Sequence, residues 1–170
     1  YAGWIALTAG LAGGAHVVLI PEIEYDMEKV IAAFHHRHGR GVSYSIVVVA
    51  EGARPKGGTY AVVTAGDETK QEKLGGAGQR LAEYIEANTE YEVRSTVLGH
   101  IQRGGSPTAV DRILASRMGE AAIEAILDGQ RNVMIGIENG KIVYVPFVKA
   151  IQHNKGIDRN ALELVKILSI

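Results

Sequence analysis

The sequence predicts an α/β fold in three layers, a mainly parallel sheet with helices on both faces. Three observations carry that expectation. HVVLIP (16–21) and YSIVVVA (44–50) are short apolar runs rich in β-branched residues, without the alternation of a half-wet strand. Between them Met27, Val30, Ile31 and Phe34 recur at helical spacing, so strand, helix and strand follow in order. The chain has 170 residues, 46% hydrophobic and 22% charged, which is enough for a substantial core.

The elements follow in chain order. Residues 2–12 read as a helix with Trp4, Ile5, Leu7 and Leu11 as its apolar residues, and Gly13 and Gly14 end it. The strand 16–21 comes next. Asp26 is placed to cap the following helix, which Gly39 closes. After the strand 44–50, residues 52–78 are glycine-rich and read as a long loop or insertion, with a possible short strand at TYAVV (59–63). Within it RPKGG (54–58) reads as a mobile surface loop, with a small anion nest as the alternative. Leu81, Tyr84 and Ile85 mark a helix finishing near Asn88, and YEVRSTVLG (91–99) reads as a third strand. Ser106 as cap and Pro107 at the first helical position predict a helix start there. Val110, Ile113, Leu114, Met118, Ile123, Ile126 and Leu127 line that helix until Gly129. Asn139-Gly140 between two apolar runs predicts a two-residue hairpin, and a last helix spans 159–169.

Composition excludes several function classes. A net charge of −1 gives no general electrostatic case for nucleic acid or for an anionic membrane. The absence of cysteine removes disulfides and thiolate metal sites, and a reducing cytoplasm fits. No apolar stretch reaches the ~18 residues that span a bilayer. The apolar start lacks the basic region of a signal peptide. The chain enters at Tyr1 directly into a helix, as a piece of a longer protein does.

The segment LGHIQRGGSP (98–107) carries the most chemistry. Arg103 offers a planar fork of donors suited to phosphate, and His100 adds one donor or two. Gly104 and Gly105 permit close backbone approach, and a helix start follows. From residue types alone a phosphate-binding turn and a solvated loop are equally open. Arg94 lies six residues before His100, and along a strand ~3.3 Å per residue sets them roughly 20 Å apart. If Arg94 also binds phosphate, it serves another copy of the site; otherwise it is a solvent-facing strand residue. Glu51, ending VVVAEG, is placed either to accept bonds from sugar hydroxyls or to cap a turn. HHRHGR (35–40) is read as cations at a helix C-terminus rather than as a metal site.

Taken together, YAGWIALTAGLAGGAHVVLIPE, VVVAEG and above all VRSTVLGHIQRGGSPTAVDRILASRMG resemble bacterial-type 6-phosphofructokinase, over nearly the whole chain but only the C-terminal half of that family's. The resemblance implies a phosphofructokinase-like fragment of a two-lobed enzyme. Residues 1–100 would form the sugar-phosphate lobe, with 52–78 inserted, and 101–170 would return to the donor-binding lobe. It implies phosphorylation of fructose 6-phosphate at its 1-hydroxyl in glycolysis, with ATP or pyrophosphate as donor. Mg²⁺, its ligands and the catalytic Asp are expected upstream, so the 170 residues alone are expected to be inactive. In the family the residues matching His100 and Arg103 hold the 6-phosphate, that matching Glu51 bonds the sugar, and that matching Arg94 reaches in from a neighbouring subunit. A cytoplasmic homo-oligomer, tetramer or dimer, is implied, without nucleic-acid or membrane partners.

Two departures from the family's pattern concern its effector site, expected at Gly14 and Arg40. His16 stands where the family has a glutamate, and Val42 where it has a second basic residue. Both argue against activation by ADP. The GARPKGG start of the insertion resembles the branch that uses pyrophosphate or mixed donors. A non-catalytic phosphosugar-sensing or oligomerisation module is the alternative reading.

Overall fold

The computed structural model describes residues 2–59, 61–64, 73–152 and 156–168. The elements are α1 (Trp4–Ala12), β1 (Val17–Leu19), α2 (Met27–Gly39), β2 (Val47–Val49), β3 (Val62–Thr64), β4 (Lys73–Leu74) and α3 (Ala77–Asn88). A 3₁₀ turn (Gly99–Arg103) precedes α4 (Ala109–Leu127), β5 (Val133–Glu138), β6 (Lys141–Pro146), α5 (Phe147–Ala150) and α6 (Arg159–Leu168). They form two compact units. One holds the chain through Val97 with the segment from Gly156 onward, and the other holds Leu98–Lys155.

The first unit is the three-layer sandwich that the apolar runs predicted. β1 and β2 pair in parallel, Val17 with Val47 through Leu19 with Val49. Successive strand side chains point to opposite faces, so neither run has a wet side. Val17, Leu19, Val47 and Val49 pack with Val30 and Phe34 of α2 and with Leu81 and Ile85 of α3. Val18, Ile20, Val48 and Ala50 pack with Ala6 and Leu7 of α1 and with Ala161 and Leu162 of α6. Asp26 caps α2 as expected, accepting from the Glu28 and Lys29 amides. In α1 the buried residues are Ala6, Leu7 and Gly10, whereas Ile5 is exposed.

Gly10 is where α1 and β1 come closest. A Cβ there would lie 2.5 Å from Val18 Cγ2. Gly10→Ala gains roughly 1 kcal/mol of helix propensity but incurs an overpacking cost of about 1–3 kcal/mol. A net loss of roughly 1 kcal/mol is expected in denaturant melts. A midpoint at or above wild type would mean that Val18 gives way.

Three expectations are corrected here. RPKGG is tied down rather than free. Pro55 bridges Tyr25, the Lys56 amide donates to the Tyr25 carbonyl at 2.7 Å, and Arg54 pairs with Glu24. Elsewhere in 52–78, β3 and β4 pair antiparallel, and the short strand expected at 59–63 falls at 62–64. Residues 91–98 form no strand ladder among the described residues. Tyr91 and Val93 pack on the core, but from Arg94 onward the segment is exposed, and a strand without a neighbour has no ladder to join. The strand spacing between Arg94 and His100 therefore no longer applies.

The third correction is in the second unit. α4 is capped by Thr108, not Ser106, because Thr108 and Asp111 bond reciprocally in a capping box. That bonding holds the Asp111 carboxyl below its usual range. The helix buries Ala121 and Ala125, while Val110, Ile113, Ile123, Ile126 and Leu127 are exposed. The β5–β6 hairpin is as predicted, with Asn139 and Gly140 at φ of 50° and 77°, the positive pair that a type I′ turn requires. It leans on α4, with Tyr144 Oη donating to the Ala121 carbonyl and Arg117 Nη2 to the Gly140 carbonyl.

Candidate functional site

His100 and Arg103 lie in the second unit, on the 3₁₀ turn. That geometry places them on one side. With three residues per turn, positions i and i+3 eclipse, and ~2 Å of rise per residue separates them by only about 6 Å along the axis. The turn is bracketed by glycines at positive φ, Gly99 (51°) and Gly105 (94°), conformations that other residues adopt at a steric cost. Its backbone is closed by Ile101 N–H to the Leu98 carbonyl and Gly104 N–H to the Ile101 carbonyl. Both side chains are exposed, and among the described residues neither is in an ion pair. An imidazole and a guanidinium three positions apart on one 3₁₀ turn can close on a single dianion.

Glu51 lies in the first unit. It follows β2 in a turn closed by the Ala53 amide on the Ala50 carbonyl, while the Ala50 amide bonds the Leu19 carbonyl. Gly52 and Ala53 are buried beneath it, and Glu51 itself is exposed. It therefore stands at the carboxyl end of the parallel pair, where open α/β sheets gather ligands. Arg94, also in this unit, is exposed and folds back on Glu92, its Nε and Nη2 donating to Oε1 at 3.1 and 2.8 Å. A pair this exposed contributes about 0–1 kcal/mol, so a phosphate can readily draw Arg94 away.

Gly14 and Arg40 lie in the loops between α1 and β1 and between α2 and β2. Gly14 has φ of 67° and Arg40 caps α2, its amide donating to the Arg37 carbonyl. The contact that sequence reasoning did not foresee is made by His16. Its Nδ1 accepts the Ile46 amide at 2.8 Å, its own amide donates to the Ile46 carbonyl, and Tyr44 meets the ring edge-on at 5.6 Å. No local signal marks this, because Ile46 is 30 residues away. The accepting Nδ1 keeps the proton on Nε2, and the ring is neutral. Burial, and then the Arg37 guanidinium, push its pKa below the ordinary 6.5.

A folded-state value below the unfolded one makes the unfolded chain take up this proton first. The His16 contribution is therefore full above pH 6.5 and is lost as pH falls from there through the folded value. Melting midpoints followed from neutral to mildly acid pH should fall more steeply in the wild type than in His16→Gln. Equal slopes would remove His16 from that role.

The helix end HHRHGR serves as the sequence implied. His36, Arg37 and His38 occupy the last turn of α2, and the Tyr91 hydroxyl contacts His35 Nδ1 at 3.0 Å. Among the described residues no three His, Asp or Glu side chains are grouped to hold a metal, and no helix is long and apolar enough to cross a membrane. A pocket of about 590 Å³ runs along β1 against Tyr25, Lys29 and Val30; none of the six expected site residues lines it.

A family model described as Phosphofructokinase matches residues 1–126. An ATP-dependent 6-phosphofructokinase of Chloroflexus aurantiacus is 47% identical over 153 residues, 90% of this chain and 41% of its own. That of Bacillus subtilis is 42% identical over 170 residues, 100% of this chain and 46% of its own. Pichia pastoris phosphofructokinase in the T-state superposes with a TM-score of 0.67 at 25% identity, over 99% of this chain and 17% of its own. Saccharomyces cerevisiae phosphofructokinase gives 0.62 at 29%, over 98% and 19%. The chain thus spans less than half the length of the curated relatives it matches.

Proposed function

The chain belongs to the phosphofructokinase family, and from that premise we propose that the whole protein transfers the terminal phosphoryl group of ATP to the 1-hydroxyl of fructose 6-phosphate. The observation that carries this reading is that His100 and Arg103 stand three positions apart on one exposed 3₁₀ turn, with glycines at positive φ at either end. The pair clamps the 6-phosphate, Glu51 accepts from the sugar hydroxyls, and Arg94 is lent by a neighbouring subunit. Gripping the substrate at its non-reacting end orients the attacking hydroxyl, so binding energy is used to lower the barrier. Phosphoryl transfer depends on that positioning and on charge neutralisation. Among the described residues no three His, Asp or Glu side chains are grouped to fit Mg²⁺.

Residues 1–100, with 52–78 as an insertion, are assigned to the sugar-phosphate lobe and about 101–155 to the donor-binding side; the expectation that the return to that side runs on to 170 is corrected. The segment from Gly156 returns to the first unit, where α6 packs beside α1. A homo-oligomer, dimer or tetramer, is what a site completed by a second subunit requires, and a cytoplasmic location belongs to the same proposed reading. Gly14 and Arg40 are what remains of an effector site. His16 is engaged with Ile46 and brings no carboxylate for a metal–nucleotide complex, so ADP does not activate.

A coupled assay for fructose 1,6-bisphosphate tests the reading. Turnover is expected with ATP and fructose 6-phosphate, without stimulation by ADP, and none from the 170-residue chain by itself. The donor assignment follows the ATP-dependent relatives. Turnover with pyrophosphate alone would overturn it and favour the resemblance of GARPKGG. Fructose 6-phosphate binding without turnover by the whole protein would favour the sensing module.

A further inference from the structure

We propose that His35 and His38 form a two-imidazole site for a divalent transition-metal cation, with Tyr91 behind them as the group that sets the His35 tautomer. Both histidines are on α2, and both are exposed. Residues three apart on a helix are neighbours on one face, with about 5–6 Å between Cβ atoms. The same i, i+3 spacing lets helical side chains share a metal in helix bundles. The two rings also meet a common partner. The Tyr91 ring centroid lies 5.5 Å from that of His35 and 6.0 Å from that of His38. Tyr91 itself packs on the core, edge-on to buried Phe34 at 6.3 Å and 82°, so the support behind the pair is fixed.

The chemistry of the pair fits a metal. His35 Nδ1 is 3.0 Å from the Tyr91 hydroxyl oxygen. When Nδ1 donates to that oxygen, Nε2 carries the lone pair and is the nitrogen left for a cation. Metal-ligating histidines are held in this way, one ring nitrogen bonded to an oxygen and the other on the metal. The other basic residues of the last turn face elsewhere. His36 and Arg37 each stand one position from one of the pair and two from the other, spacings that do not face one another on a helix. The Arg37 guanidinium lies near enough to His16 to push that imidazole's pKa down. The helix end helps, since the free carbonyls and partial negative charge of a C-terminus favour a cation. A bound metal is thus one more cation at the end of α2, as HHRHGR implied. Imidazole suits zinc, copper and nickel rather than magnesium or calcium. Two protein ligands are fewer than a resident structural zinc has, so water fills the other positions and the cation exchanges with solution.

The test is isothermal titration of Zn²⁺ into the whole protein, wild type against His35→Gln, His38→Gln, His36→Gln and Tyr91→Phe. Metal-free melting curves establish that each variant is folded, and the three imidazoles are exposed enough to be replaced without disturbing the core. The wild type is expected to bind a Zn²⁺ that His35→Gln and His38→Gln each hold about 10-fold or more weakly, while His36→Gln holds it as the wild type does. Tyr91→Phe keeps the ring and removes the hydroxyl, and is expected to weaken the same Zn²⁺ by about 10-fold. Zn²⁺ binding that ignores His35 and His38 overturns the site. Equal losses in all three histidine variants overturn it too, because the cation would then be held by a diffuse cluster rather than by this pair. Wild-type affinity in Tyr91→Phe also overturns it, since the imidazoles would then bind as any exposed pair does.

Discussion

Arg103→Ala in the whole enzyme is expected to raise the KM for fructose 6-phosphate about 10- to 150-fold and to leave the KM for the nucleotide unchanged. A lost charge-assisted contact costs about 1.5–3 kcal/mol, and each 1.4 kcal/mol is tenfold in affinity. The structure sharpens this expectation. Arg103 ends an exposed turn and is in no ion pair among the described residues, so its removal should leave the melting temperature alone. Arg103→Lys should recover only part of the loss, because an ammonium lacks the planar fork that meets two phosphate oxygens. An unchanged KM for the sugar in a stable Arg103→Ala protein would take the turn out of the substrate site.

Mixing two crippled enzymes is expected to restore activity that neither has. If Arg94 of one subunit completes the site holding His100 and Arg103 of another, Arg94→Ala and Arg103→Ala damage opposite sides of the same shared site. Across a two-fold interface a mixed pair has one site missing both residues and one site intact. Random reassembly of equal amounts should therefore make about a quarter of all sites wild type. The readout is turnover at a fructose 6-phosphate concentration where both parents are nearly silent. If the mixture gives no more than the mean of its parents, Arg94 acts within its own subunit or not at all. The present partner of Arg94, Glu92, presents no obstacle, since both side chains are largely in water.

Much of the fold was legible because the signals are local. Asp26 caps α2 through amides two and three residues ahead, and Asn139-Gly140 closes its hairpin with dihedrals that those residue types favour. The unalternating valines of β1 and β2 announced a sheet covered on both sides, and each face found its helices. The start of α4 was misplaced by two residues for a reason just as local. Ser106-Pro107 is a good cap by type, but only Thr108 has an acid three positions on to return the bond.

The candidate site divides in the same way. His100 and Arg103 could be singled out from residue types and their spacing of three, and the structure puts both on one exposed 3₁₀ turn. Residues 91–99 have a strand's composition, yet a ladder depends on a neighbour, and composition does not supply one. The apolar positions of α4 show periodicity, but which of them are covered was settled by packing: the hairpin bonds Ala121, Ala121 and Ala125 are buried, and Val110 and Leu127 are exposed.

Taken by itself, the sequence determined the helices, the Asp26 cap, the hairpin and two buried strands, and the residue types of the phosphate clamp. These follow from covalent neighbours, whose effective concentration is set by a few bonds of chain. Only the tertiary structure decided that His16 is neutral against Ile46 and that RPKGG is fastened to Tyr25. Those contacts join residues about 30 positions apart. Closing such loops costs entropy that no local preference repays, so they exist only where the packed core brings the partners together.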